Sequence, residues 1–380
     1  MSTALPPGSV IGIVGGGQLG RMSAVAAARL GYRVHVLAQS EDEPAVQTAG
    51  SFTLGAFDDQ AALHRFAEQV DVITFEFENI PAEGLDLLSS LKPVRPSGEI
   101  LRISQDRLAE KAFMAGADIP VAPWLAVTSA DDVTLSEERL SWPVILKTTR
   151  LGYDGKGQRR VHDREGFLAA FEELRPHPLV AEAVVDFERE ISVMVVRSAD
   201  GSSGCSDPVE NRHRDGILDI TLAPAPIDPE LACKARALAL RIAERLDLTG
   251  ILGVEMFVTR DGDLLINEIA PRPHNSGHWT MDACGMDQFE AHIRAVAGLP
   301  VTDLMRHSDA VMKNLVGPDD MALWPEIIAS PGMIPHHYGK TEARPGRKMG
   351  HVNILFPRGA LPGEFGVQDA LGCLAERPGM

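Results

Sequence analysis

Two glutamates, Glu255 and Glu268, stand in otherwise apolar segments on either side of an Asp-Gly pair at positions 261 and 262. Asp-Gly between two strand-like runs predicts a two-residue β-hairpin turn. Such a turn places Glu255 directly opposite Glu268 on one face, where like charges repel. Because carboxylates are hard oxygen ligands that suit Mg²⁺ carrying nucleotide phosphates, we predict a magnesium site between them. The alternative is a solvated edge hairpin with two exposed acids, and a longer loop would shift the pairing by one residue.

A glycine-rich segment after an apolar strand supplies a second set of chemical groups. Lys147 ends the strand, and Gly152, Gly155 and Gly157 follow it closely. Glycines let backbone N–H groups approach a polyanion, and Lys147 and Lys156 add positive charge for phosphate oxygens. The pattern is not the GxxxxGK[ST] of P-loop enzymes. We predict a flap that closes over phosphates; a flexible hairpin turn is the alternative.

A third pattern, Gly15, Gly17 and Gly20, matches the GxGxxG fingerprint of dinucleotide-binding proteins between a predicted strand and helix. Binding of NAD further requires an acid at the end of the second strand. That strand ends in Gln39, and Glu41 comes slightly too late. The pattern therefore indicates either an anion site at a helix N-terminus without a nicotinamide, or a purely structural turn.

The segment PRPHNSGHWT (271–280) directly follows the second glutamate. The spacing of His274 and His278 could hold zinc on a helix, but two prolines and a glycine predict a loop. We expect this loop, with Arg272, Asn275 and Ser276, to line a substrate site. Packed structural histidines are the alternative.

Near the C-terminus, YGKTEARPGRKMGH (338–351) gathers four cations in a chain whose formal charge is −17. Clustering of cations in so acidic a protein predicts an anion pocket, with an exposed basic loop as the alternative. The four are Lys340, Arg344, Arg347 and Lys348.

The elements that must position these residues follow from hydrophobic periodicity. The first hundred residues alternate apolar strands with amphipathic helices, which predicts an α/β unit with a parallel, helix-covered sheet. A second unit has apolar strands separated by polar turns. We predict three domains: 1–105, 106–300 with a mobile glycine-loop lid near 125–185, and a small C-terminal domain at 301–380. The strands are placed at 10–17, 32–38, 71–77, 142–149, 158–163, 178–185, 189–198, 253–259, 263–269 and 351–356, and helices at 18–31, 106–116 and 228–248.

Composition excludes several classes of protein. At 380 residues, with 44% hydrophobic and 23% charged residues, the chain is long enough for two or three domains with buried cores. Its four scattered cysteines form no CxxC pair, so neither a zinc knuckle nor a disulfide framework is expected. The net charge disfavours nucleic-acid binding. With no leader-like start and no apolar stretch of roughly 20 residues, we expect a cytoplasmic protein without a membrane partner.

A set of motifs, in this order from about residue 10 to residue 353, resembles the N5-carboxyaminoimidazole ribonucleotide synthetase family. The motifs are GIVGGGQLGRM, TFEFENI, DRLAEK, LKTTRLGYDGKGQ, NRHRDGIL, VEMF, LLINEIAPRPHNSGHWT and RPGRKMGH. The resemblance implies an α/β ATP-grasp fold with an N-terminal Rossmann-like parallel-sheet domain and a small C-terminal domain, in a homodimer. It also implies a reaction that joins bicarbonate to the amine of 5-aminoimidazole ribonucleotide in purine biosynthesis. ATP would be cleaved to ADP and phosphate through carboxyphosphate, and the product would pass to a functionally coupled mutase.

The resemblance also implies roles for individual residues. Magnesium would bind Glu255 and Glu268, in agreement with the hairpin argument. ATP would contact Arg107, Lys147, Gly152, Tyr153, Asp154, Gly155, Lys156, Gly157, Gln158, Glu182, Ala183, Val184, Val185, Glu190, His213, Asn267 and Glu268. The ribonucleotide and bicarbonate would lie near Gln18, Glu76, Asn79, Tyr153, Lys156, Arg272, His274, Asn275, Lys340 and Arg347. Direct roles in the reaction are expected for Arg272, Lys156, Asp154 and Lys340.

The glycine loop departs from the family's usual KTRRGGYDGKGQ, since Thr149 replaces an arginine and Leu151 a glycine. The segment AQSEDEPA after the second strand also differs from the family's aspartate-rich form. Three other functions remain open at this point. They are a formate-dependent ATP-grasp transformylase, an NAD-dependent dehydrogenase and a catalytically silent nucleotide-binding module.

Overall fold

The computed structural model describes residues 4–150 and 157–375. The first unit is a parallel sheet in the order β3-β2-β1-β4. Apolar side chains of β1, β2 and β4 are buried on both faces, which explains the continuous apolar runs in the sequence. The predicted parallel, helix-covered sheet is therefore confirmed. Its elements are β1 Val10–Val14, α1 Gln18–Arg29, β2 Arg33–Ala38, β3 Ser51–Leu54, α2 Gln60–Glu68, β4 Val72–Phe75, α3 Ala82–Leu91 and α4 Gly98–Gln105.

A smaller antiparallel sheet follows, with the strand order β5-β8-β6-β7. One face packs on two helices around Phe167, which is fully buried. The opposite face carries Lys147 toward the centre of the molecule. The elements are α5 Arg107–Gly116, β5 Trp124–Val127, α6 Asp132–Leu140, β6 Val144–Thr148, β7 Gln158–Val161, α7 Arg164–Leu174 and β8 Leu179–Ala183.

The remaining strands form one large sheet in the order β14-β13-β9-β11-β12-β15-β17-β16, with β10 paired to β9. Short 3₁₀ turns lie at Asn275–Gly277 and Gly372–Leu374. The strands are β9 Phe187–Arg197, β10 Ser203–Cys205, β11 Val209–Arg214, β12 Ile217–Ala223, β13 Gly250–Thr259, β14 Leu264–Ala270, β15 Ser308–Val316, β16 Met333–His337 and β17 Lys348–Pro357. The helices are α8 Pro229–Arg245, α9 Thr280–Ala283, α10 Gln288–Ala297, α11 Gly317–Ala322, α12 Trp324–Ala329 and α13 Glu364–Leu371.

This large sheet continues across position 300 of the chain. β12 pairs with β15 in an antiparallel register that sets Ile220 opposite Lys313. The three C-terminal strands thus belong to the same hydrogen-bonded sheet as the strands that carry the glutamates, which they join through β12. No helix in residues 4–150 or 157–375 combines the length and apolar character that crossing a bilayer would require.

The hairpin of β13 and β14 does not have the predicted turn. The Thr259 N–H donates to the Asp263 carbonyl at 2.9 Å, so the connecting loop has three residues rather than two. Gly262 occupies the left-handed region at φ 82°, which a three-residue hairpin loop requires at its last position. The two-residue Asp-Gly turn predicted from the sequence is wrong.

The predicted pairing of Glu255 with Glu268 is nevertheless confirmed. Near the tip, Met256 lies opposite Ile266, a register one residue away from the predicted one. A β-bulge at Asn267 then adds one residue to β14 and restores the predicted register below it. The longer loop and the bulge offset each other.

Candidate functional site

A cleft of about 490 Å³ lies between the small sheet and the large sheet. Residues from all parts of the chain line it, and they include cations, acids, neutral polar side chains and apolar side chains. The cations are Arg107, Lys147, Arg150, Arg272 and Lys348. The acids are Glu78, Glu110, Glu190, Glu255 and Glu268. Apolar side chains include Ile145, Phe187, Leu218 and Phe257.

The paired glutamates form the acidic part of this cleft. Burial raises the pKa of Glu255 well above its usual range, and the negative charges of Glu268 and Glu190 raise it further. Arg107 lies 3.4 Å from a Glu268 oxygen. The Glu268 side chain is half-buried and reaches the surface of the cleft. A cation between the two acids would relieve the repulsion that perturbs Glu255.

The described residues contain no group of three or more His, Cys, Asp or Glu side chains placed to hold a metal ion by themselves. Glu255 and Glu268 alone therefore offer an incomplete coordination shell. Mg²⁺ commonly binds through one or two carboxylates and completes its shell with water and substrate phosphates. The donor set present here fits a magnesium ion that arrives with a nucleotide.

Beside the acids, Lys147 extends from β6 into a buried ion network. Its ammonium lies 2.7 Å from one Glu182 oxygen, and Lys111 of α5 lies 3.1 Å from the other. Burial alone would raise the pKa of Glu182, but the two lysine charges outweigh burial and lower it. The network fixes Lys147 at the cleft wall.

Helix α5 begins at this same wall. The Asp106 side chain accepts hydrogen bonds from the backbone N–H groups of Leu108 and Ala109, which caps the helix. The Arg107 N–H donates to the Thr149 carbonyl at 3.0 Å, so the helix start is tied to the end of β6. This contact aims the Arg107 guanidinium across the cleft at Glu268.

The loop of residues 271–280 lines the cleft with its first half. Arg272 lies 3.0 Å from Glu78, and His274 Nε2 lies 3.1 Å from a Glu255 oxygen. Burial lowers the pKa of His274 well below its usual range, and the positive charges of Arg272 and Lys348 act in the same direction. Both amide atoms of Asn275 are buried and have no hydrogen-bond partner among the described residues, as expected for a group that binds a ligand.

The second half of that loop is structural. His278 is buried and lies at 2.8 Å from the Gln288 amide through Nδ1. Its ring packs against Phe289, Tyr338 and His351. The two histidines of the HxxxH spacing therefore have different surroundings. His274 faces the cleft, and His278 belongs to the core.

A second polar cluster lies beside the cleft, at the N-terminus of α1. The carboxylate of Glu76 accepts hydrogen bonds from the backbone N–H groups of Gly17 and Gly20, the latter at 2.9 Å. An internal carboxylate thus occupies the donors that a dinucleotide phosphate would use. The GxGxxG pattern forms a helix N-terminus closed by Glu76, next to the predicted Gln18.

Two cations of the C-terminal segment complete this cluster. Lys340 donates to the Lys348 carbonyl at 2.6 Å, and Arg347 to the Glu342 carbonyl at 2.8 Å. Burial lowers the pKa of Lys340 to about 8, and the charges of Arg347 and Lys348 add to that effect while Glu76 opposes it. By contrast, Arg344 is exposed and forms an ion pair with the Glu342 carboxylate.

Sequence-based assignments divide into four groups in the structure. The cleft brings together Asn79, Arg107, Lys147, Gln158, Glu190, His213, Glu255, Asn267, Glu268, Arg272, His274 and Asn275. The adjoining cluster contains Gln18, Glu76, Lys340 and Arg347. The cleft lining in the described part of the chain omits Gly157 and the segment 182–185, so their contacts with ATP stay predictions. Residues outside the described ranges are Leu151, Gly152, Tyr153, Asp154, Gly155 and Lys156.

Sequence reasoning missed several residues of the site. Lys348 and Glu78 line the cleft but had no assigned role. Lys348 had a signal, because it belongs to the basic segment that predicted an anion pocket. Glu78 stands within the TFEFENI motif, but nothing in its spacing showed that it would hold Arg272. Gln105 also lines the cleft and donates to the Ile80 carbonyl at 2.8 Å.

Comparison with protein-family models gives three matches along the chain. A ribonucleotide synthetase preATP-grasp domain matches residues 9–105, and an ATP-grasp domain matches residues 112–289. A phosphoribosylaminoimidazole carboxylase C-terminal domain matches residues 310–360. The ATP-grasp fold expected from the motifs is thereby confirmed, with a parallel-sheet domain before it and a C-terminal domain after it.

Similar proteins match over nearly the whole length. The N5-carboxyaminoimidazole ribonucleotide synthase of Brucella melitensis biotype 1 is 48% identical over 358 residues, covering 94% of this chain and 99% of that protein. A solved ADP complex of N5-carboxyaminoimidazole ribonucleotide synthetase has a TM-score of 0.93 at 39% identity, covering 98% of each chain. The Aspergillus clavatus enzyme, solved with ADP and 5-aminoimidazole ribonucleotide, has a TM-score of 0.89 at 30% identity, covering 97% of this chain and 98% of that one.

Proposed function

Because the chain belongs to the N5-carboxyaminoimidazole ribonucleotide synthetase family, we propose that its cleft joins bicarbonate to 5-aminoimidazole ribonucleotide as ATP is cleaved to ADP and phosphate. The chain is an ATP-grasp ligase of purine biosynthesis. One observation carries the assignment of the site. Two facing carboxylates, Glu255 and Glu268, lie in a cleft whose other walls present cations for phosphate oxygens. Their residue types and positions suit a magnesium nucleotide.

Glu255 and Glu268 would hold the magnesium ion. When bound, this ion offsets negative charge on the β- and γ-phosphates. Lys147 and Arg107 bind phosphate oxygens directly. The Lys147–Glu182–Lys111 network keeps the Lys147 ammonium in place before ATP arrives, so little ordering is required at binding.

The adenine base would occupy the apolar part of the cleft. Phe187 and Phe257 stack there with ring centroids 4.7 Å apart, and Ile145 and Leu218 line the same cleft. Phe187 remains 38% exposed, so it presents an apolar face that an aromatic base can cover. The glycine loop, which supplies the remaining ATP contacts in this proposal, would close over the phosphates and exclude water.

Bicarbonate would bind at Arg272, His274 and Asn275. Arg272 is held by Glu78 and offers its planar donors to an oxyanion. The Asn275 amide, which has no hydrogen-bond partner in the part of the chain that the structure describes, supplies both a donor and an acceptor. Bicarbonate is a poor electrophile, and phosphorylation converts it to carboxyphosphate with a good leaving group. Lys348, which lines the same cleft, adds positive charge beside that intermediate.

The ribonucleotide would bind across the adjoining cluster of Gln18, Glu76, Lys340 and Arg347, with Asn79 between it and the cleft. Lys340 and Arg347 provide charge for its phosphate. The amine is a weak nucleophile, so its position beside carboxyphosphate matters more than the strength of a base. Lys156 and Asp154 belong to the loop that would cover it, and Asp154 is the proposed acceptor of the amine proton.

We also propose a homodimer, functional coupling to the mutase that isomerises the product, and a cytoplasmic location. The division into domains at 1–105, 106–300 and 301–380 stays a proposal with them. None of the reaction steps above depends on these four statements.

The proposed function is tested by the variant Glu268→Ala. We expect it to abolish the ADP formation that 5-aminoimidazole ribonucleotide stimulates, because one of the two magnesium ligands is lost. The assay measures ADP with and without the ribonucleotide, using bicarbonate or formate as the acid. ADP formation that is supported by bicarbonate and not by formate would distinguish this enzyme from a formate-dependent transformylase.

The matched control is Glu165→Ala, which removes an exposed carboxylate from α7. This variant should keep the parent activity. Circular dichroism should show that both variants retain the parent fold. Full ribonucleotide-dependent turnover by Glu268→Ala would refute the metal assignment.

A further inference from the structure

Four buried polar side chains lead from the interior of the large sheet to the cleft histidine. Thr221 on β12, Asn211 on β11 and Ser192 on β9 lie on neighbouring strands, and Ser276 follows in the loop after β14. Their exposed fractions are 0%, 6%, 1% and 0%. We call these four residues the hydroxyl chain. It ends at His274.

Each step of the hydroxyl chain is a hydrogen bond of between 2.7 and 3.1 Å. Thr221 Oγ1 lies 3.1 Å from Asn211 Oδ1, and Asn211 Nδ2 lies 2.9 Å from Ser192 Oγ. Ser192 Oγ lies 2.7 Å from Ser276 Oγ, which lies 2.8 Å from His274 Nδ1. A hydroxyl has one proton to donate, so the direction of each bond fixes the direction of the next.

A backbone group at the histidine end shows which direction these bonds take. The Ser276 backbone N–H also points at His274 Nδ1, at 3.4 Å, and an amide N–H cannot accept. Nδ1 therefore carries a lone pair. The Ser276 hydroxyl must donate to it, Ser192 must donate to Ser276, and Asn211 must donate to Ser192. The Asn211 oxygen is then left to accept from Thr221, as the short contact requires.

With Nδ1 unprotonated, the proton of the neutral ring lies on Nε2, which faces Glu255 at 3.1 Å. We propose that the hydroxyl chain holds His274 as the Nε2–H tautomer, so that this ring is a hydrogen-bond donor in the cleft and not a proton acceptor. Asn211, Ser192 and Ser276 are positioning residues in this reaction. None of them lines the cleft among the described residues.

The backbone around His274 is held independently of the hydroxyl chain. The Gln288 amide accepts from the His274 N–H and donates to the His274 carbonyl, each at 2.9 Å. Gly253 on β13 lies directly beneath, since a Cβ there would be 2.9 Å from the Cβ of His274. The ring position is thus fixed by Gln288 and Gly253. The hydroxyl chain is left to determine which ring nitrogen bears the proton.

A donor tautomer has a chemical consequence in the proposed reaction. Bicarbonate and carboxyphosphate are anions, and a ring N–H directed into their cleft can bind them or orient the Glu255 carboxylate. A ring with a lone pair directed at Glu255 would instead repel that carboxylate. This consequence rests on the proposed function, whereas the tautomer itself does not.

The test uses ¹⁵N NMR of the full chain labelled at histidine, without ligands. The signal of His274 is identified by its loss in His274→Gln. We expect the parent to carry the ring proton on Nε2. In Asn211→Asp the new carboxylate can only accept, so the bonds from position 211 through Ser192 and Ser276 to His274 should reverse and the proton should move to Nδ1, while Thr221 still donates to position 211.

Ser276→Ala provides a second variant in case Asn211→Asp does not fold. It removes the hydroxyl donor at 2.8 Å and leaves only the longer contact of the backbone N–H at 3.4 Å, so a measurable fraction of the ring should carry its proton on Nδ1. Both variants should lower kcat by about tenfold or more, as loss of outer-sphere partners commonly does. Ser198→Ala removes another buried serine hydroxyl, which directly follows β9 and is not part of the hydroxyl chain, and should change neither readout.

A parent ring protonated on Nδ1 would overturn the proposal. The proposal would also fail if Asn211→Asp and Ser276→Ala, where they fold, both kept the tautomer populations of the parent. The kinetic arm separates this failure from failure of the proposed function. If the parent forms no ADP in response to 5-aminoimidazole ribonucleotide, the proposed function fails while the NMR result stands.

Discussion

Glu182 lies between two lysine ammonium groups in the interior, where an unpaired charge is costly. Lys147 donates a hydrogen bond to one of its carboxylate oxygens, and Lys111 forms an ion pair with the other. Lys147 also faces the cleft, so the same ion network contributes to stability and to the shape of the site. Replacing one lysine leaves Glu182 partly uncompensated.

We therefore expect Lys111→Met to lower the free energy of unfolding by about 3 kcal/mol, the effect of breaking a buried ion pair. Urea unfolding followed by circular dichroism measures this change. The matched control is Lys234→Met, which breaks an exposed pair with Glu230 on α8 and should leave the unfolding curve unchanged. Equal curves for the two variants would contradict the argument.

The roles of some residues can be predicted from their sequence context, and the roles of others cannot. Glu255 and Glu268 stand out because two acids in apolar strands need a reason. Lys111 does not stand out, because a lysine in an amphipathic helix ordinarily faces water. Its burial depends on where α5 packs against β8, and that packing is a property of the tertiary structure.

Among the elements, the β13–β14 hairpin shows how a correct conclusion can rest on a wrong detail. Asp-Gly favours a two-residue turn, but the third loop residue and the bulge at Asn267 change the register twice. The whole of β13, from Gly250 to Thr259, also pairs with β9. The position of the bulge therefore depends on three strands, and a sequence read strand by strand cannot give it.

The conformation of this loop gives a prediction for Gly262. A Cβ at this position would meet no atom within 4 Å, so Gly262→Ala tests the left-handed backbone alone. We expect a loss of about 1 kcal/mol in unfolding free energy, with unchanged kcat. Gly285→Ala is the control, since Gly285 is exposed and its Cβ would also meet no atom within 4 Å. A Gly262→Ala protein as stable as this control would contradict the left-handed conformation.

For the whole molecule, the sequence predicted the parallel first sheet and the order of chemical motifs. It did not predict that residues before and after position 300 share a sheet. The pairing of β12 with β15 joins strands separated by about ninety residues, and local periodicity contains no information on such partners. The adjoining cluster is equally long-range, because Glu76 comes from β4 and Lys340 from the C-terminal segment.

A buried histidine between these parts predicts how stability depends on pH. His292 of α10 lies 2.9 Å from the Thr74 hydroxyl of β4, and burial lowers its pKa from 6.5 to about 3. Between these values the unfolded chain binds a proton that the folded chain does not. The stability contributed by the neutral ring is therefore complete above pH 6.5 and is lost as the pH falls toward 3.

We expect the stability advantage of the parent over His292→Gln to shrink by about 1.4 kcal/mol for each pH unit below 6.5. Chemical denaturation at several pH values down to about pH 4.5 measures the two slopes. His64→Gln, at an exposed position of α2, should follow the parent curve. Parallel curves for the parent and His292→Gln would show that the ring does not titrate on unfolding.

The bulge at Asn267 has an evolutionary consequence. It separates the tip of the hairpin from the stretch that faces the substrate, and β9 holds that stretch from its other side. An insertion or deletion at the tip would change the strand register only between the tip and the bulge. The pairing of Glu255 with Glu268 would stay the same. The length of this loop is therefore free to drift between relatives while the acidic pair is inherited intact.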